Sequence, residues 1–105
     1  MLSKNQRINL RSFAMTMQDG VLIGKDGVTE TVLRQVDDNL TAHDIVKIKV
    51  LNNCDIDIKD IAESLVYQTK CEIVTIIGSK IVAYRKSDRP TSSKNEKVRD
   101  AINKK

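Results

Sequence analysis

Three stretches of the sequence predict an α/β domain whose elements run helix, strand, helix, strand, helix, strand, strand. The apolar run Val21-Leu22-Ile23 stops at the loop Gly24-Lys25-Asp26-Gly27, and a helix start at Thr29-Glu30 follows at once. Residues 45–51 alternate apolar side chains with Lys47 and Lys49, the period of a strand with one buried face. Two β-branched runs, Cys71 to Ile77 and Lys80 to Arg85, are separated only by Gly78-Ser79. A strand, a helix and a second strand make a right-handed crossover unit with parallel strands. A two-residue Gly-Ser link makes an antiparallel hairpin.

Taken in order, Ser3 followed by Gln6 is a capping-box pattern, and Leu10, Phe13, Ala14 and Met17 repeat at helical spacing, which predicts a first helix over 4–17. Lys4, Arg7 and Arg11 fall at three- and four-residue steps and share one stripe of it. Gln18-Asp19-Gly20 closes this helix. In the second helix Thr29 is the N-cap, Val28 and Leu33 form a hydrophobic staple, and Val32, Val36 and Leu40 are the buried stripe, with Arg34 outside it. Residues 41–44 are expected to connect it to the strand at 45–51. That strand has an apolar face from Val46, Ile48 and Val50 and a basic face from Lys47 and Lys49. Asp57 caps a third helix with Ile56 and Ile61 as its staple and Ile58, Ile61, Ala62 and Leu65 as its buried side. Its early acids, Asp57, Asp60 and Glu63, suit the positive end of the helix dipole rather than general acid–base work.

With 105 residues the chain is long enough for one core and too short for a cleft between domains. Its apolar content comes from Ile, Val and Leu, with one Phe, two Tyr and no Trp, so a base-stacking aromatic platform is not expected. Residues 1–85 carry 11 basic and 11 acidic side chains, while residues 86–105 carry 7 and 3. A folded domain over 1–86 is therefore expected, followed by a basic, disordered tail over 87–105. Cys54 and Cys71 with the single His43 are too few soft ligands for a zinc site, and no metal or cofactor is expected. His43 has no serine, cysteine or carboxylate constellation to make it a catalytic base. Neither a signal peptide nor a run of roughly 18–20 apolar residues is present, which leads us to expect a reduced cytoplasmic protein without membrane insertion.

The loop at 24–27 joins a strand end to a helix N-terminus. Such a junction offers unpaired backbone N–H groups, the positive end of a helix dipole, glycines that admit another backbone and, here, the exposed cation Lys25. These are the ingredients of a phosphate contact. A tight turn uses the same two glycines, so the loop alone leaves both readings open.

The surrounding chain adds a resemblance. Gln6-Arg7 and Leu10-Arg11, the run from Val21 to Gly27, Thr29-Glu30, the run from His43 to Val50, and Gly78 with Tyr84-Arg85 stand in the order and spacing of the CRM-domain RNA-binding proteins. The chain resembles in particular their small stand-alone bacterial members of the YhbY-like type, over nearly all of residues 2–85. The resemblance implies a fold similar to the C-terminal domain of translation initiation factor three, with helices packed on a four-stranded mixed sheet. It also implies RNA binding through the glycine loop and nearby basic surface, association with precursors of the large ribosomal subunit, and no catalysis. Two departures stand out: Asp26 places a carboxylate in the loop and must either point away from phosphate or weaken the contact, and Lys4-Asn5 stand where many members have Gly-Lys.

The expected site is thus Gly24, Lys25, Asp26, Gly27 and Val28, with the N–H groups of Gly27 and Val28 and the Lys25 ammonium on phosphates. Lys4, Arg7, Arg11, Lys47 and Lys49 supply longer-range attraction. The expected partner is structured RNA, with large-subunit ribosomal RNA and pre-ribosomal particles as the target, bound by a monomer. Two rivals remain at this point. A nucleotide-binding enzyme would use the same junction, but the loop lacks the G-x-x-x-x-G-K-[ST] spacing; a protein–protein adaptor would use the sheet or the acidic third helix.

Overall fold

Ser3 starts helix α1 (Lys4–Ala14) with a complete capping box: its hydroxyl accepts from the Gln6 N–H, and the Gln6 side chain accepts from the Ser3 N–H. The computed structural model describes residues 2–86 and 96–103. α1 stops three residues short of the predicted end at Met17. The chain there tightens into turns from Thr16 N–H to Phe13 O and from Met17 N–H to Ala14 O. Strand β1 (Val21–Ile23) leads through the glycine loop to α2 (Glu30–His43), whose N-cap Thr29 accepts from the Val32 N–H at 3.1 Å. The expected connection over 41–44 is helical as far as His43, because the turn is made by one residue, Asp44, in the left-handed conformation (φ 68°). Strand β2 (Ile45–Val50) follows directly.

Helix α3 (Ile58–Thr69) is capped by Asp57, as the sequence predicts, and ends at Lys70 in the left-handed conformation. Strands β3 (Glu72–Ile77) and β4 (Lys80–Tyr84) form the expected hairpin about Gly78-Ser79, with Gly78 at φ 57°. The sheet order is β1-β2-β4-β3; β1 runs parallel to β2, and the other two pairings are antiparallel. This is the α/β, four-stranded mixed sheet that the resemblance implies. β3 carries a register shift between Ile73 and Thr75, which turns Val74 into the α1 side of the sheet.

Helices cover both faces. On one, Val32, Val36 and Leu40 of α2 and Ile61, Ala62 and Leu65 of α3 pack on Val21, Ile23, Val46, Ile48, Ile81 and Ala83. On the other, Leu10 and Ala14 of α1 pack on Ile45, Val74, Val82 and Tyr84. Each fully buried Leu, Ile or Val contributes about 1.5–3 kcal/mol relative to exposure, so the alternation along β2 decides which face goes where.

A fourth helix, α4 (Glu96–Asn103), lies in the region expected to be a disordered tail. Val98 is buried against α1 and the sheet, with Ile102 packed beside it. Arg99 pairs with Asp44 at 2.9 Å, where the carboxylate is fully buried. Val98, Ala101 and Ile102 are few apolar anchors for a helix of this length, and the carboxylate that Arg99 meets comes from a segment 55 residues away, so the docking is not visible in the local sequence. The rest of the expected tail, residues 87–95 and 104–105, lies outside the described residues.

Candidate nucleic-acid interface

The glycine loop is a β-turn closed by the Gly27 N–H donating to Gly24 O at 3.0 Å, with Lys25 and Asp26 at its exposed centre. Gly27 then takes φ 69°, and a Cβ there would lie 2.5 Å from Ile56 Cδ1. Its glycine is therefore required by the left-handed turn, with the end of the Ile56 side chain close over it, while its N–H is already used. That corrects the expected donor pair: the Gly27 N–H closes the turn and is not available to a phosphate. The N–H groups of Lys25, Asp26 and Val28 have no acceptor among the described residues. They stand directly before the N-terminus of α2, where the helix dipole favours an anion. Gly24 is the more open of the two glycines, since a Cβ there would meet nothing nearer than Asn53 Oδ1 at 3.7 Å.

The five expected cations separate into three groups. Arg7 is inward: its guanidinium pairs with Glu72 at 2.7 Å and donates to the carbonyls of Ile73 and Val74, where the register shift leaves β3 irregular. Glu72 also accepts from the Leu2 N–H. Lys47 donates to the carbonyls of Ala14 (3.1 Å) and Met17 (3.3 Å) and so caps the end of α1. For both, the expected stripe or basic face is corrected by geometry: these charges hold α1 to the sheet. Lys4 and Arg11 are exposed on the outer side of α1, on a stripe with Ile8 and Met15, which are 52% and 65% exposed.

Lys49 is the expected strand cation that keeps company with the loop. It stands opposite Leu22 of β1, one residue before the strand end that enters the loop. On its other side it stands opposite Lys80 of β4, a cation the sequence reading did not select. The alternation of Lys80, Val82 and Tyr84 placed Lys80 on a face, but the β2–β4 register that sets it beside Lys49 is a tertiary pairing. Arg85, which carried part of the resemblance, is structural: it reaches Asp37 at 2.7 Å, Thr69 O at 2.7 Å and Thr41 Oγ1 at 3.0 Å, joining α2, α3 and β4.

Among the described residues no group of three or more His, Cys, Asp or Glu side chains could hold a metal ion, and no helix is long and apolar enough to cross a membrane. His43 ends α2 in the turn that leads to Asp44.

Comparison with known proteins gives these features a setting. The profile of the CRS1 / YhbY (CRM) domain matches residues 2–85. A protein of Bacillus subtilis strain 168, named probable RNA-binding protein YqeI, is 37% identical over 87 residues, covering 83% of this chain and 91% of that one. A Haemophilus influenzae protein named as RNA-binding is 34% identical over 88 residues, covering 83% and 88%. The solution structure of a hypothetical Staphylococcus aureus protein, described as a candidate RNA binder, superposes with a TM-score of 0.73 at 40% identity, covering 87% of this chain and 95% of that one. By its sequence over residues 2–85 and by its fold, the chain belongs to the CRS1 / YhbY (CRM) domain family.

Proposed function

We propose that this protein binds structured RNA at the end of the sheet formed by the glycine loop and Lys49. The observation that carries this reading is the loop itself: three backbone N–H groups without an acceptor among the described residues, an exposed lysine, and the N-terminus of α2 directly behind them. Relatives that carry RNA-binding names over the same span support it. Backbone amides and ammonium groups read phosphate and shape rather than base identity, so affinity should exceed sequence preference.

The finer part of the proposal is a role in assembly: the protein associates in the cytoplasm with precursors of the large ribosomal subunit, by binding and not by catalysis. It rests on the resemblance to the small bacterial CRM-domain proteins. Sedimentation tests it. The protein should travel with large-subunit precursors at low salt; recovery only at the top of the gradient, or with translating ribosomes, would refute the assembly role. Titration with labelled ribosomal RNA fragments and, separately, with labelled ATP tests the coarser part. Tight ATP binding without RNA binding would favour the nucleotide-binding rival.

A further inference from the structure

The face of the sheet that carries α1 is covered at one end only. Over Ile45, Val74, Val82 and Tyr84 lie Leu10, Ala14 and Val98. At the other end, Leu22, Lys49, Lys80 and Ile77 stand in register in one row across all four strands. Leu22 is 55% and Ile77 36% exposed. Between this row and the last turn of α1 lies a groove of about 400 Å³, with Met15, Ile77 and Val82 as apolar walls and Lys47 and Lys80 at its polar side. That volume falls in the range of about 300–1,000 Å³ typical of small-ligand sites.

The charges indicate what such a groove takes. Lys49 and Lys80 are directly opposed across antiparallel strands, an arrangement that destabilises a sheet unless an anion lies nearby. Among the described residues one carboxylate answers them, Asp19, at 3.4 Å from Lys80. Lys47 adds a third ammonium whose hydrogen bonds go to neutral carbonyls. Three cations facing one acid, beside an apolar wall, suit a ligand with both a negative charge and a flat uncharged face. An RNA duplex hides its base faces by stacking, whereas an unpaired nucleotide presents base and phosphate together.

We propose that the groove between the end of α1 and the β3–β4 turn seats an unpaired nucleotide of the bound RNA, its base against Met15 and Ile77 and its phosphates at Lys80 and Lys49. The inference rests on the RNA-binding reading and extends it. The glycine loop, at the same end of the sheet, holds the neighbouring backbone, so the protein recognises a junction where a paired segment gives way to a single strand.

The test uses the full chain and three RNA hairpins of one sequence: blunt, with a three-nucleotide 3′ overhang, and with the same overhang made abasic. Base seating on an apolar wall predicts that the overhang binds about ten-fold tighter than the blunt hairpin and that removing its bases loses most of that gain. Ile77→Asp, which places a carboxylate in the groove opposite Lys80, should abolish the difference between base-bearing and abasic overhangs, whatever it costs the blunt hairpin through its charge. Met15→Ala, on the exposed flank of α1, carries the same test if Ile77→Asp unfolds the domain. Lys49→Gln should flatten the salt dependence on the overhang by about 0.7 in slope, one single-strand phosphate contact. Equal affinity of the wild type for base-bearing and abasic overhangs overturns the proposal, as does an unchanged base-dependent gain in the folded groove variants. Failure of the wild type to bind any of the three RNAs overturns the RNA-binding reading itself.

Discussion

Gly24 and Gly27 look equivalent as letters and are physically different residues. Gly27 holds a left-handed backbone and lies under Ile56, so Gly27→Val should cost about 1–2 kcal/mol of stability through its φ alone, with Ile56 rotating aside because its end is exposed. Any loss of RNA binding in that variant would mix strain with obstruction. Gly24 has room for a methyl group, so Gly24→Ala should melt within a degree or two of the wild type, yet weaken RNA binding if a phosphate approaches the loop there. Wild-type affinity in a folded Gly24→Ala protein would remove Gly24 from the contact. A second residue-scale prediction concerns Cys71, whose thiol is pushed above its ordinary value of 9.0 by burial. The folded state keeps this proton while the unfolded chain releases it, so its contribution is fully present below pH 9 and is lost as pH rises past that value, at up to about 1.4 kcal/mol per unit. Tyr84, raised by burial and by the Asp44 carboxylate, extends the loss to higher pH. Urea midpoints measured at several pH values should fall on the alkaline side, and less steeply in Cys71→Ala.

Two connections between elements rest on single arginines. Arg99 of α4 answers the fully buried carboxylate of Asp44, which also ends α2. Removing one member of a buried pair takes a charged partner from the other, so Arg99→Met should lower stability by about 3 kcal/mol and loosen α4 from α1. A thermal midpoint unchanged from wild type would show that α4 does not need this pair. Arg7 does comparable work at β3, where its guanidinium takes up the carbonyls left by the register shift of an edge strand. Such strands are where sheets open and pair wrongly. Arg7→Ala should therefore speed amide exchange in β3, and its effect on RNA affinity should be smaller than that of Lys25→Ala. If Arg7→Ala instead abolishes RNA binding with β3 protection intact, Arg7 faces RNA in the complex.

On the scale of the whole molecule, the charges proposed to meet RNA, Lys25, Lys49 and Lys80, lie at one end of the sheet, although residues 1–85 are electrically balanced. Salt dependence is the observable that counts them. Lys25→Ala should reduce the slope of log K against log salt by about one phosphate contact and blur the footprint on the RNA if, as proposed, the loop sets orientation as well as attraction. Truncation before α4 should behave differently from the loss of a loose basic tail. It removes Val98 and Arg99 from the α1 side of the core and so lowers stability before it touches salt dependence. A truncated protein with wild-type stability and a flattened salt slope would restore the view of the tail as a loose cationic arm.

Local information in the chain determined much of this protein. Capping at Ser3, Thr29 and Asp57, the two-residue link at Gly78-Ser79 and the alternation along 45–51 are short-range signals, and each element they predict is present. The glycine loop was legible for the same reason: a turn, a helix start and an exposed lysine are contiguous. What tertiary structure decided is which polar groups are used up by the fold. Whether the Gly27 N–H, Arg7 and Lys47 are available depends on Gly24 O, Glu72 and the carbonyls of Ala14 and Met17; for the two cations those partners lie 30 or more residues away in the chain. Lys80 beside Lys49, the groove under Met15 and the docking of α4 on Asp44 arise likewise from pairings between distant segments. Periodicity reports which side of an element faces inward; only packing in three dimensions determines what each side chain meets there.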